Sequence, residues 1–157
     1  MSTAIPPRPR LGTVKRAFAI VASQFNAEYV QGLVNHAMAE LRRLAPSVKI
    51  VVHQVPGAFE IPVVVQEIAS QKRAEAILAL GVILKGQTDH AENLARSVTD
   101  ALQRIALEHG VPVLNAVLSL NDEMQARERC LGDRINRGTE AARAAVEIAG
   151  LLEDLRA

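Results

Sequence analysis

Six consecutive residues, Lys85-Gly86-Gln87-Thr88-Asp89-His90, carry the densest chemistry in the chain. Gly86 lets a backbone approach a ligand closely, and Thr88 adds a hydroxyl donor. A helix that begins just afterwards points its free N–H groups back at the loop, an arrangement suited to a phosphate. A Gly-polar-Thr run ahead of a helix is also common in loops that bind nothing. Asp89, with Glu92 three residues on, has the spacing of a helix-capping box, and its carboxylate would compete for the same donors unless it turns outward. His90 stands at the head of this helix, beside the loop. Near a carbonyl and a phosphate, its imidazole can take up a proton and return it.

Other residues fall at comparable places. The chain has three phenylalanines, and two of them, Phe25 and Phe59, follow short apolar runs in Ser23-Gln24-Phe25-Asn26 and Val55-Pro56-Gly57-Ala58-Phe59-Glu60. A loop phenylalanine can simply plug a core, but two at one edge favour a flat ligand stacking there. Arg129 could return a guanidinium to an anion site, or could be an ordinary solvated helix arginine. His36 and His109 fall on expected helices and His53 within a strand. No pair has the spacing of zinc ligands, so no metal is expected.

These residues need elements that bring them together, and the pattern supplies four strand-then-helix units. The apolar run Arg16 to Ala22 precedes a helical stripe of Val30, Leu33, Val34, Ala37, Met38 and Leu41, with Asn26 as N-cap and Pro46 as the stop. Lys49 to Val55 precedes a stripe of Ile61, Val64, Val65 and Ile68. Ala76 to Leu84 is apolar almost throughout, as a strand covered on both faces requires. Its helix carries Leu94, Val98, Ala101, Leu102 and Ile105. A fourth strand covers about Pro112 to Leu118. Asp122 and Gln125 then open one helix as a capping box, and a last helix with an alanine-rich face starts near Thr139. Such alternation implies parallel strands joined by right-handed crossovers. The expectation is an α/β protein, a three-layer α/β/α sandwich on a four-stranded parallel flavodoxin-like sheet. Ligands then bind beyond the carboxyl ends of the strands, where all four loops fall.

The bulk properties agree with one domain over residues 1–157, with 1–13 expected as a flexible N-terminal segment. The formal charge of +1, from 18 basic and 17 acidic side chains, gives no field to recruit nucleic acid or membrane. The basic cluster Arg8, Arg10, Lys15 and Arg16 reads as a solvated tail. The single cysteine, Cys130, excludes an internal disulfide and reads as an inert thiol in a reducing compartment. No apolar run approaches a membrane span and no signal-peptide core is present, so the cytoplasm is the expected address.

Taken together, Ser23-Gln24-Phe25-Asn26, Val55-Pro56-Gly57-Ala58-Phe59-Glu60-Ile61-Pro62, Gly86-Gln87-Thr88-Asp89-His90 and Asn136-Arg137-Gly138-Thr139-Glu140-Ala141-Ala142 resemble, in order and spacing, the signatures of the lumazine synthases. The likeness runs from about residue 11 to the C-terminus. It implies a transferase of riboflavin biosynthesis that condenses 5-amino-6-(D-ribitylamino)uracil with 3,4-dihydroxy-2-butanone 4-phosphate and needs no cofactor. The products are 6,7-dimethyl-8-ribityllumazine, phosphate and water. By this resemblance Phe25 stacks on the pyrimidine, while Gly57, Ala58, Phe59 and Glu60 line the ribityl side. Ile83 and Asn115 border the ring, and Arg137 matches a lysine near it. Gln87, Thr88 and Arg129 receive the phosphate, Glu140 pairs with that arginine, and His90 shuttles protons.

The resemblance further implies a homopentamer with sites shared between neighbours, in some members a sixty-subunit icosahedral shell, and riboflavin synthase as a candidate partner. This chain departs from the common pattern in three places. Asn115 stands where an aromatic is frequent, and Gln87 and Asp89 replace smaller or neutral residues. Leu131-Gly132-Asp133-Arg134-Ile135 replaces a Gly-Thr-Lys-Ala-Gly turn used in shell assembly. Two rival readings share the fold: a lumazine or flavin binder without turnover, which would not need His90, Thr88 and Arg129, and a phosphoacceptor module. The latter would need clustered aspartates where Ser23-Gln24 and Lys85-Gly86 stand.

Overall fold

The computed structural model describes residues 3–9 and 16–157. The elements follow in the order β1 (Ala17–Ser23), α1 (Ala27–Leu44), β2 (Lys49–Val55), a 3-10 turn (Ala58–Glu60), α2 (Ile61–Gln71), β3 (Ala76–Leu84), α3 (His90–His109), β4 (Val113–Leu120), α4 (Glu123–Ala126), a π-helical turn (Arg127–Leu131) and α5 (Arg137–Arg156). All pairings are parallel and the strand order is β2-β1-β3-β4, the flavodoxin-like arrangement expected from the alternation.

The two-residue period of the strands sorts the core into two layers. Phe18, Ile20, Leu78 and Leu80 face α1 and α5. Val21, Ile77 and Ala79 face α2 and α3. β1 and β3, covered on both sides, are buried almost throughout, which is why they carry no alternating polar residues. β2 differs: it is an edge strand, and Val51 (42 % exposed) and Val52 (36 %) point away from opposite faces of the sheet. Val63 on α2 is also exposed.

Several boundaries differ from expectation. β4 runs to Leu120, and α5 begins at Arg137, two residues before Thr139. Asn26 occupies the N-cap position of α1 but does not cap it. Its left-handed backbone (φ 58) turns the amide away from the helix, and Nδ2 donates to the Val82 carbonyl on β3 at 2.7 Å. Asp122 does cap α4, accepting from Gln125 N–H at 2.9 Å, while Gln125 Oε1 accepts from Asn121 N–H. The helix after β4 then widens into the π-helical turn. Here Gly32 of α1 meets the chain so closely that a Cβ would lie 2.5 Å from the Cys130 carbonyl, and Gly138 meets the Leu33 carbonyl in the same way. These two glycines let α1 lie directly against the turn and the start of α5.

The basic cluster near the N-terminus is not simply solvated. Arg8 donates from Nε and Nη2 to the carboxylate of Glu40, which is buried on α1 and also accepts from Arg143 Nε of α5 at 2.5 Å. Arg143 Nη1 further donates to the Pro6 carbonyl, so residues 6 and 8 are tied across α1 and α5. Arg16 pairs with Glu153 and Glu75. Arg10 and Lys15 lie outside the described residues. Among the described residues, no helix is long and apolar enough to cross a membrane.

Burial alone would raise the pKa of Glu40, but the hydrogen bonds and charges of Arg8 and Arg143 outweigh it and hold the carboxyl below its ordinary value. A lowered folded-state value stabilises the fold above the unfolded pKa of about 4.3, and that contribution fades as pH falls through the folded value. Glu40→Gln is therefore expected to lower stability by about 2 kcal/mol near neutral pH. In chemical denaturation, its deficit relative to the parent should shrink as the pH is taken below about 4; a deficit independent of pH would contradict the ion cluster. Cys130 is fully buried, and burial pushes its thiol up to about 12 against a smaller opposing pull from Arg129. It should resist iodoacetamide near pH 8 in the folded protein and react at once in denaturant.

Candidate active site

The carboxyl ends of β1, β2 and β3 open onto a cleft of about 380 Å³. Three hydrogen bonds hold the loops that form it. Gln24 N–H donates to the Val55 carbonyl at 2.8 Å and Phe25 N–H to the Pro56 carbonyl at 3.1 Å, joining the loop after β1 to the last residue of β2 and the one just beyond it. The Asn26 amide then joins it to β3.

Phe25 and Phe59 stand at the mouth with rings 73 % and 69 % exposed. Each ring offers a flat apolar face that the fold does not cover. Ile83 and Ala91, from the α2/α3 core layer, form an apolar floor, with Gly57, Ala58 and Glu60 also lining the cleft. Glu60 ends the 3-10 turn that leads into α2, where Pro62 takes an early helical position that needs no N–H donor. His90, the first residue of α3, lines the same cleft. Its backbone N–H approaches Thr88 Oγ1 at 3.4 Å, whereas the exposed Asp89 makes no capping bond. The helix end is thus left free of the competing carboxylate. Gln87 and Thr88 are exposed on the loop ahead of the helix, and no Cβ added at Gly86 would meet an atom within 4 Å.

Of the residues singled out in the sequence, Phe25, Gly57, Ala58, Phe59, Glu60, Ile83 and His90 therefore share one cleft within a single chain. Gln87, Thr88, Asn115, Arg129, Arg137 and Glu140 do not line it. Asn115 is exposed on edge strand β4, where Nδ2 donates to Thr99 Oγ1 and Oδ1 accepts from Val117 N–H. The polar side chain thus occupies a backbone donor of its own strand, a function an aromatic could not perform.

Arg129 lies on the π-helical turn. Its side chain is 11 % exposed, one nitrogen is 3.4 Å from Glu128, and its buried Nε has no partner. Arg137 is buried at the start of α5 and donates to Glu140 at 2.5 Å, leaving Nε and Nη2 without partners. Glu140 therefore engages Arg137, not the Arg129 implied by the resemblance; the three-residue spacing within one helix makes that pair local.

The cleft has an aromatic mouth, an apolar floor, one carboxylate and one imidazole, and among the described residues no lysine or arginine lines it. Asn26, Leu84 and Leu94 also line it; from the sequence Asn26 was read as an N-cap and Leu94 as part of a helical stripe, not as site residues. The legible signal for Asn26 was its residue type, since asparagine tolerates a left-handed backbone at a strand-to-helix junction. A larger cleft, about 700 Å³, opens at the opposite edge of the sheet. There the carbonyl ends of α2, α3 and α5 converge, and Lys72, Arg73, His109 and Arg156 answer their negative dipole ends. Its chemistry is that of helix termination.

Residues 15–153 match the family model described as 6,7-dimethyl-8-ribityllumazine synthase. Among curated relatives, a protein of that name from Leptothrix cholodnii is 43 % identical over 138 residues, covering 87 % of each chain. Another from Azoarcus sp. is 37 % identical over 138 residues, covering 87 % of this chain and 86 % of its own. A third, from Halorhodospira halophila, is 38 % identical over 141 residues, covering 89 % of this chain and 90 % of its own. With the flavodoxin-like sheet and the cleft at its carboxyl edge, these matches lead to one assignment: the chain belongs to the 6,7-dimethyl-8-ribityllumazine synthase family.

Proposed function

We propose that this protein condenses 5-amino-6-(D-ribitylamino)uracil with 3,4-dihydroxy-2-butanone 4-phosphate to give 6,7-dimethyl-8-ribityllumazine, phosphate and water. The observation that carries this reading is the meeting of Phe25, Ile83 and His90 in one cleft at the carboxyl edge of the sheet. The Phe25 ring stacks on the pyrimidine, Ile83 and the neighbour's Asn115 border it, and Gly57, Ala58, Phe59 and Glu60 accommodate the ribityl chain. Glu60 offers two acceptor oxygens to its hydroxyls.

The reaction joins an amine to a carbonyl, expels phosphate and closes a ring. It needs two substrates held together and protons moved between oxygen and nitrogen. His90 takes a proton from the attacking amine and returns one to the departing oxygen. Gln87 and Thr88 hold the phosphate from the loop ahead of α3, where Asp89 does not occupy the helix end. The cation for that phosphate is Arg129, whose fork of donors suits it. Arg137 reaches toward the pyrimidine and is steadied by Glu140.

Among the described residues no lysine or arginine lines the cleft within one chain, and Asn115 does not reach it either, so on this reading Arg129, Asn115 and Arg137 come from a neighbouring copy. As the resemblance to the family implies, the working unit is a homopentamer. The open edge of β2, with Val51 and Val52 exposed, and Val63 on α2 provide apolar surface for such a contact. The substrates are two small molecules, riboflavin synthase is a candidate partner, and a free buried cysteine suits the cytoplasm.

Purified protein mixed with the two substrates should generate lumazine fluorescence together with stoichiometric phosphate. His90→Ala should slow turnover by roughly one to two orders of magnitude, since positioning by the remaining residues persists. Absence of product from the folded parent would refute the reading, and unchanged turnover in His90→Ala would remove the imidazole from it.

A further inference from the structure

Asn136 is completely buried between the π-helical turn and α5. Its amide nitrogen donates to two carbonyls of the turn's end, Cys130 and Gly132, each at 2.9 Å. Its amide oxygen accepts from the first free N–H groups of α5, Gly138 at 2.9 Å and Thr139 at 3.2 Å. One side chain thereby satisfies two orphan carbonyls at the end of one helical segment and two orphan donors at the start of the next. A π-helical turn has a wider, weaker ladder than an α-helix, so its last carbonyls need an outside partner to keep their course. Arg129 sits immediately before Cys130 on this turn, its Nε buried and unpartnered.

We propose that Asn136 is a positioning residue for Arg129: by fastening the end of the π-helical turn to α5, it aims the guanidinium at the substrate phosphate. This rests on the reading of Arg129 as the phosphate's cation. The aiming is indirect, because Asn136 bonds backbone only and touches neither Arg129 nor, on this account, the substrate. Loss of the latch lets the turn relax toward an ordinary α-helix. Each residue of the turn then rotates about the axis and the guanidinium leaves its line.

Two substitutions separate the two ends of the latch. Asn136→Asp and Asn136→Ser both keep an oxygen that can cap α5, and both lose the amide donors to Cys130 and Gly132. In steady-state assays each is expected to raise KM for the butanone phosphate about ten-fold, leaving KM for the pyrimidine amine unchanged. Competitive inhibition by inorganic phosphate should weaken in parallel. Arg129→Ala should raise the same KM further, and adding Asn136→Ser to it should bring no additional loss, as residues acting through one group are not additive. If the Asn136 variants lower the melting temperature while both KM values stay at the parent's, the residue is only structural and the inference fails. If Arg129→Ala itself leaves KM for the phosphate substrate unaltered, the assignment of the phosphate cation falls, and the inference with it.

Discussion

Three hydrogen bonds between loop ends govern the site. Gln24 and Phe25 donate backbone N–H groups to the last residue of β2, Val55, and to Pro56 just beyond it, and the Asn26 amide reaches across to β3. Without them the residues after β1 would be a free connection, and Phe25, with most of its ring in solvent, has no packing of its own to fix it. The left-handed backbone of Asn26 is what makes the crossing achievable. Behind the loops, β1 and β3 are buried on both faces, so the carbonyl of Val82 is as well fixed as any in the molecule. An aromatic wall and an imidazole are therefore set at one end of a rigid sheet by its two most buried strands.

That rigidity accounts for the division of labour in the cleft. Positioned substrates and a proton shuttle suffice for an amine–carbonyl condensation, and the single chain provides the wall, the floor and an imidazole, the proposed shuttle. Among the described residues, no lysine or arginine joins His90 in lining the cleft. Among the described residues, two arginines carry buried, unpartnered nitrogens, Arg129 on the π-helical turn and Arg137 at the start of α5, both segments packed against α1. Buried guanidinium donors without acceptors are costly unless something else completes them. A cleft short of positive charge and arginines short of acceptors are complementary deficits, and the proposed assembly of identical chains would resolve both.

Much of this arrangement was legible in the residues. The unbroken apolar run of β3 and the change of period into each helix identified a parallel sheet, and the loops at its carboxyl edge followed from that. Phe25 and His90 stood out because aromatics are scarce here and the imidazole heads a helix. Other features leave no local trace. The π-helical turn differs from an α-helix by a single residue in its hydrogen-bond ladder, and the apolar spacing around Cys130 fits either. The Arg8–Glu40–Arg143 cluster joins residues 32 and 103 positions apart, beyond the reach of any spacing rule. The pairing of Arg137 with Glu140 is the reverse case. The three-residue spacing was visible, yet the likeness to relatives directed Glu140 to Arg129.

The central claim, that one chain's imidazole works with another chain's guanidinium, is open to complementation. His90→Ala and Arg129→Ala subunits, each nearly inactive at limiting butanone phosphate, would be unfolded together and refolded as mixed oligomers. If sites span two chains, some interfaces pair an intact His90 with an intact Arg129, and the mixture recovers activity well above the mean of its parents. Activity that stays at that mean would show that both residues serve within one chain, and the shared site would have to be abandoned.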